Sequence, residues 1–267
     1  MDEDILRIIA LKSGLGLKYV SKNEKINVLL EQIDGIFGAD AILKGGTAVS
    51  KIYFQKSGVD RFSEDIDIDF IPHRKINLDD RIYLIKKKIN GIDGFEISRP
   101  RLMHRTMRFD MRYINELGEK DIVRIEFYLS HDKALCVKLP EKRMLSSSFM
   151  SLNPVMFTSY ALEDLMARKV IALYSRTEGK DIYDVYHCFN LEYDHEKFMK
   201  AMELMLDFYK IEPNTFIGNL IEKLRDANKD YIYIQNSTSH YIPTKLRPDW
   251  RIMIRELIEK LEKEWSM

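Results

Sequence analysis

Three aspartates, Asp65, Asp67 and Asp69, occupy alternate positions between Ser63 and Pro72, with Ile66, Ile68 and Phe70 between them. On an extended chain, residues i and i+2 project from one face about 7 Å apart, so this spacing stacks the carboxylates in a row. Carboxylate oxygens are hard ligands suited to Mg²⁺ or Mn²⁺, and two of them on one strand can hold the cations that align a displacement at phosphorus. The same pattern opens a calcium-binding EF-hand loop. That loop needs glycine at its sixth position and glutamate at its twelfth, where this chain has Phe70 and Ile76. A polar, solvent-facing strand is the plain alternative. Three stacked like charges disfavour it, because they repel one another unless cations or basic side chains offset them.

A second group lies one short helix earlier, at Lys44-Gly45-Gly46-Thr47. Glycine lets the backbone approach a ligand, amides at the start of a helix attract anions, and the Thr47 hydroxyl can donate to a phosphate oxygen. Gly-Gly before a helix is also simply a tight turn, and the chain lacks the spaced Gly-Lys-Ser/Thr of a P-loop. Taken together, the two groups set an anion cradle beside a metal site.

The elements that must position these groups follow from hydrophobic period. Ile5, Ile8 and Ile9, then Ile26, Leu29, Leu30, Ile33 and Phe37, predict helices over 4–12 and 25–37, with Ser21 and Asn23 as start signals for the second. Ala41-Ile42-Leu43 predicts a strand that turns at Gly45-Gly46 into a helix carrying Ala48, Val49 and Ile52. Residues 62–71 alternate as a strand, 80–89 read as a helix, and 105–113 and 122–129 alternate as paired strands around the turn Glu116-Leu117-Gly118-Glu119. From about residue 158 only helical spacing remains, over 161–175, 180–189, 195–208, 215–227 and 248–265. The expected fold class is α/β: a mixed-sheet N-terminal half, residues 1–155, and a helical C-terminal half, residues 156–267.

Leu43–Lys51 together with Arg61–Ile68 resemble the opening motif of the AbiEii/AbiGii-type nucleotidyltransferases, the toxins of type IV toxin–antitoxin systems within the DNA polymerase β-like superfamily. The likeness continues through Leu162–Leu173, Arg176 and Lys180–Val185, covers roughly residues 15 to 190 in order, and is weak beyond. It implies a nucleotidyltransferase-like sheet, with the nucleotide bound by Gly45, Gly46, Thr47, Ser63 and Lys169. It further implies Mg²⁺ or Mn²⁺ held by Asp65 and Asp67, and an essential acid at Asp184. Asp69 has no counterpart in the motif. The substrate would be an NTP, the acceptor an RNA such as tRNA, and a cognate antitoxin would be a partner.

The superfamily sets a third catalytic, metal-binding carboxylate on a neighbouring strand, for which Glu126 is the candidate. Arg124 and Glu126 share one strand face while Val123, Ile125 and Phe127 share the other, although an Arg–Glu surface ladder reads the same way. Lys169 interrupts the apolar stripe of Leu162, Leu165, Met166 and Leu173, so its amine needs a partner or a polar cleft. Asp181 and Asp184 share a face of the next helix, Asp181 near enough to its start to cap it. Arg99, Arg101, Arg105, Arg108 and Arg112, with His104 among them, form a basic stretch able to guide RNA phosphates, to offset the aspartate strand, or to line a charged edge.

Composition sets the remaining bounds. Lys+Arg and Asp+Glu both total 42, so no global field draws the chain to nucleic acid or membrane. Cys136 and Cys188 are too few and too separated for a disulfide framework or a zinc site and are expected to be buried thiols. The acidic start, Met1–Asp4, is unlike a secretory leader and no apolar run suits a bilayer, so a cytoplasmic protein without membrane contact is expected. Two rivals stand beside a transferase: a nucleotide- or RNA-binding protein on the same fold, and a phosphatase of the haloacid dehalogenase type, whose Asp-x-Asp normally follows the first strand.

Overall fold

The computed structural model describes residues 3–129, 132–149 and 154–266. Met1 and Asp2 of the acidic start lie outside them. The chain forms two compact units, one of residues 1–134 and 139–160, the other of residues 135–138 and 161–267.

The first unit is built on a mixed eight-stranded sheet. Its strands are β1 (Ala41–Lys44), β2 (Asp65–Phe70), β3 (Glu96–Ile97), β4 (Arg101–Met103), β5 (Thr106–Ile114), β6 (Lys120–Tyr128), β7 (Glu141–Leu145) and β8 (Val155–Ser159). They lie in the order β3-β5-β6-β2-β1-β8-β7, with β4 also pairing to β5. Two strand pairs are parallel, β2 with β6 and β1 with β8; the others are antiparallel. The 5–6 hairpin turns where Gly118 takes a positive φ of 77°. Short β3, β4 and β7, and β8 with its run of Val155, Met156 and Phe157, carry too little alternation to stand out in the sequence.

One face of the sheet is apolar. Ile66, Ile68, Phe70, Val123, Ile125, Phe127, Phe109 and Met111 are buried there. Helix α2 (Leu17–Phe37) packs against this face, with the Phe37 ring 5.1 Å from Phe127 and 5.9 Å from Phe70. Helices α1 (Glu3–Ser13) and α5 (Leu78–Ile89) flank α2. The second helix begins at Leu17 rather than near residue 25, and Ser21 and Asn23 are buried within it instead of capping it. Their polarity has internal partners: the Ser21 hydroxyl donates to Glu116, and the Asn23 carbonyl oxygen accepts the Lys51 ammonium at 2.5 Å.

The second unit is helical: α6 (Leu162–Arg176), α7 (Gly179–Cys188), α8 (His195–Tyr209), α9 (Pro213–Lys229), α10 (Tyr231–Thr238) and α11 (Trp250–Glu264). Helix α6 packs on α7, α8 and α9, and α11 on α7, α9 and α10. Helix α10 is absent from the sequence reading because its apolar residues follow no helical stripe; Ile232 and Tyr233 are exposed. The segment 135–138 joins this unit through Asp164, which accepts the Val137 amide at 2.8 Å, and through Arg168, which donates to the Leu135 carbonyl at 2.6 Å. Cys188 is buried as expected, whereas Cys136 in that segment is half-buried; both are free thiols. Among the described residues no helix is long and apolar enough to cross a membrane.

Candidate active site

The polar face of the sheet is ordered by strand register. Lys44 on β1 stands opposite Asp67 on β2, Asp67 opposite Glu126 on β6, and Glu126 opposite Arg108 on β5. Paired residues across a ladder share a face, so these four side chains form one row in which two acids lie between two bases. In the adjacent row Asp65 faces Arg124, which faces Asp110. The Arg124 guanidinium lies 3.9 Å from the Asp65 carboxylate. The repulsion expected of the aspartate strand is therefore partly offset by arginines and a lysine on its neighbours.

Asp67 and Glu126 are brought together by a residue that the sequence reading passed over. The Tyr128 hydroxyl donates to Glu126 Oε2 at 2.9 Å and lies 3.4 Å from Asp67 Oδ1. Burial and the two nearby carboxylates push the phenol far above its ordinary range, so it stays a donor. The Lys44 ammonium lies 3.5 Å from the centre of the Tyr128 ring and 2.6 Å from Asp69. Tyr128 occupies the same alternation as Arg124 and Glu126, which is the signal that marks it.

Asp69 differs from the expected extension of an exposed polar face. It is fully buried, accepting the Tyr160 hydroxyl at 2.6 Å as well as the Lys44 ammonium. It stays on the face of Asp65 and Asp67, where Tyr160 and Lys44 bond to it, and it anchors Lys44.

The glycine turn has a stereochemical cause. Gly45 has φ +74°, in the left-handed region, and a Cβ there would fall 2.2 Å from Asp67 Oδ2. The Asp67 carboxylate thus fills the space a side chain would take. A Cβ on Gly46 would meet the Arg61 guanidinium at 2.8 Å and Ser63 Oγ at 2.9 Å, so Ser63 lines the same turn. From Gly45 the chain runs through α3 (Gly45–Val49), a π-helical turn (Ser50–Phe54) and α4 (Gln55–Ser57).

Thr47 corrects one expectation. It is buried and its hydroxyl donates to the Asp65 backbone carbonyl at 2.6 Å, so its only side-chain proton fastens the helix start to the aspartate strand rather than facing a phosphate. Lys51, within the π-helical turn, is also buried, and burial lowers its pKa to about 8.

Asp67 and Glu126 offer a converging pair of hard oxygen donors, which fits Mg²⁺ or Mn²⁺. Among the described residues no group of three or more His, Cys, Asp or Glu is arranged to hold a metal ion. Mg²⁺ is commonly held by one or two carboxylates with substrate phosphates completing its shell, so a pair is the expected protein share.

In the helical unit, Lys169 on α6 is buried, and its ammonium lies 2.7 Å from Asp184 and 3.3 Å from Asp181 on α7. Both carboxylates are fully buried. Arg176 grips Asp181 with two hydrogen bonds, at 2.6 and 3.0 Å. Asp181 is therefore a member of an ionic cluster with Lys169, Asp184 and Arg176, and not a helix cap. Its place one turn before Asp184 puts both acids on the face turned to α6.

The basic stretch forms the β4–β5 hairpin. Arg101 and Arg108 both pair with Asp110, at 2.6 and 3.2 Å, and Arg112 with Glu96 at 2.9 Å. Arg108, in register with Glu126, belongs to the charged row of the sheet, whereas Arg99 and Arg105 are exposed.

Residues 28–266 match the family model described as nucleotidyl transferase AbiEii toxin, type IV TA system. No curated protein matches the chain. Among solved structures, MenT4, a nucleotidyltransferase toxin from Mycobacterium tuberculosis, is similar at 17% identity, with a TM-score of 0.62 over 100% of this chain and 92% of that one. JHP933 from Helicobacter pylori is similar at 18% identity, with a TM-score of 0.54 over 94% and 97%. At these identities the structural likeness speaks to the fold.

Proposed function

Because the chain belongs to the AbiEii family of nucleotidyltransferase toxins, we propose that it transfers a nucleoside monophosphate from an NTP to an acceptor, with pyrophosphate leaving, by in-line attack on the α-phosphorus. The observation that carries this reading is the convergence of Asp67 and Glu126 on one hydroxyl beside the Gly45 turn. Asp67 and Glu126, with Asp65 next along β2, would hold Mg²⁺ or Mn²⁺. The cation, when bound, supplies charge neutralisation on the phosphates and lowers the pKa of the attacking hydroxyl.

The chain's own residues divide the remaining work. Backbone amides of Gly46 and Thr47 at the helix start receive phosphate oxygens, helped by Ser63 beside them. Thr47 fixes this cradle to the strand that carries Asp65. The family resemblance assigns Lys169 to the nucleotide; within the helical unit its amine is held by Asp184 and Asp181. Glycines at the turn keep the backbone close to the reacting groups.

For the acceptor we propose an RNA, such as a tRNA end, guided by the exposed arginines of the β4–β5 hairpin, and as a partner a cognate antitoxin in the cytoplasm. Incubation with each α-labelled NTP, total RNA and cell lysate should put label into the RNA fraction. Arg99→Ala with Arg105→Ala should weaken that transfer several-fold and flatten its salt dependence, each lost phosphate contact removing roughly 0.7 to 0.9 from the log–log slope. Label in protein instead, or an unchanged slope, rejects the RNA acceptor; NTP bound but never consumed favours a binding protein.

A further inference from the structure

We propose that Tyr128 is a positioning residue that holds the carboxylates of Asp67 and Glu126 converged, so that a divalent cation meets a preformed pair. The inference rests on the reading of these two acids as cation ligands. Strand register places them directly opposite each other on a parallel ladder, where two like charges repel and swing their side chains apart. A hydroxyl lies between them, 2.9 Å from Glu126 Oε2 and 3.4 Å from Asp67 Oδ1, and adds to the offset given by Lys44 and Arg108 in the same row.

The phenol is itself held. Lys44 lies over its ring at 3.5 Å, and Lys44 is fixed by Asp69, which Tyr160 fixes in turn. Asp67 is confined from its other side, because its Oδ2 sits in the space left by Gly45. Each carboxylate thus keeps one oxygen toward Tyr128. Groups that orient metal ligands in this way typically contribute about 10- to 100-fold in metal affinity.

The test is a titration of the full chain with Mn²⁺, without nucleotide, followed by electron paramagnetic resonance of the free ion. Wild type, Tyr128→Phe, Tyr128→His and Asp67→Asn are compared, and thermal melting in EDTA is run alongside. Wild type should bind Mn²⁺ and Asp67→Asn should lose that binding. Tyr128→Phe, which keeps the ring under Lys44, should bind about 10- to 100-fold more weakly while melting in EDTA within a few degrees of wild type. Tyr128→His, which keeps a ring N–H donor, should recover part of the affinity.

Equal affinity in Tyr128→Phe and wild type overturns the positioning role and leaves the metal assignment standing. A wild type that binds no Mn²⁺, or an Asp67→Asn that binds it unchanged, overturns the metal assignment and the inference with it. Should Tyr128→Phe fail to fold, the histidine variant decides, and a loss there of more than about 100-fold rejects the donor role.

Discussion

Gly45→Ala is expected to reduce nucleotide transfer by about 100-fold or more while leaving the sheet folded. Two costs combine at this position. The left-handed φ of +74° strains an alanine by about 1–2 kcal/mol, and the new Cβ would fall 2.2 Å from Asp67 Oδ2. Something must move, and the carboxylate is the group in the way. A displacement of about 1 Å at a reacting group is enough for a loss of that size. Gly46→Ala should be milder, because its Cβ meets the ends of two side chains, Arg61 and Ser63, that can shift. Melting measured beside activity separates the effects: a drop of a few degrees with near-complete loss of transfer is expected for Gly45→Ala, and full activity would contradict the role given to this glycine.

Lys169→Met should have the largest effect on stability, about 3–5 kcal/mol. The substitution removes an ammonium 2.7 Å from Asp184 and 3.3 Å from Asp181, both wholly buried. Asp181 keeps its two hydrogen bonds to Arg176, so the penalty falls mainly on Asp184. Adding Asp184→Asn should therefore return part of the lost stability, a non-additivity that denaturant unfolding of the single and double variants measures. If Lys169 also serves the triphosphate, the double variant regains stability without regaining transfer. Additive losses would show that the two residues act independently.

Much of this was legible in the sequence, for reasons that differ by residue. Alternation at Asp65–Phe70 and at Val123–Phe127 is a direct record of two-sided strands, so both strands and the shared faces of Asp67 and Glu126 could be read. Gly45 was legible as a turn, but the reason for glycine, the Asp67 carboxylate against its Cα, depends on a pairing of β1 with β2 that local pattern does not encode. Thr47 was read toward a ligand because a hydroxyl at a helix start often faces one; its bond to the Asp65 carbonyl is a tertiary contact. Asp69 and Asp181 look like surface acids in one dimension, since burial of a charge becomes visible only with its partners, Lys44 and Tyr160 for one and Arg176 and Lys169 for the other. The start of α2 was missed for the same reason, as Ser21 and Asn23 find bonding partners on other elements.

The central claim is that Asp67 works at the α-phosphorus of an NTP with a divalent cation, and transfer of label from α-labelled NTP by wild type and Asp67→Asn tests it most directly. Wild type should transfer the label in the presence of Mg²⁺ or Mn²⁺ and fail in EDTA, with no label passing from the γ-position. Asp67→Asn should fall by about a thousandfold or more, yet melt at or above the wild-type temperature, because removing one of two facing carboxylates relieves repulsion. Transfer by Asp67→Asn at the wild-type rate, or transfer by wild type undiminished in EDTA, would contradict the account.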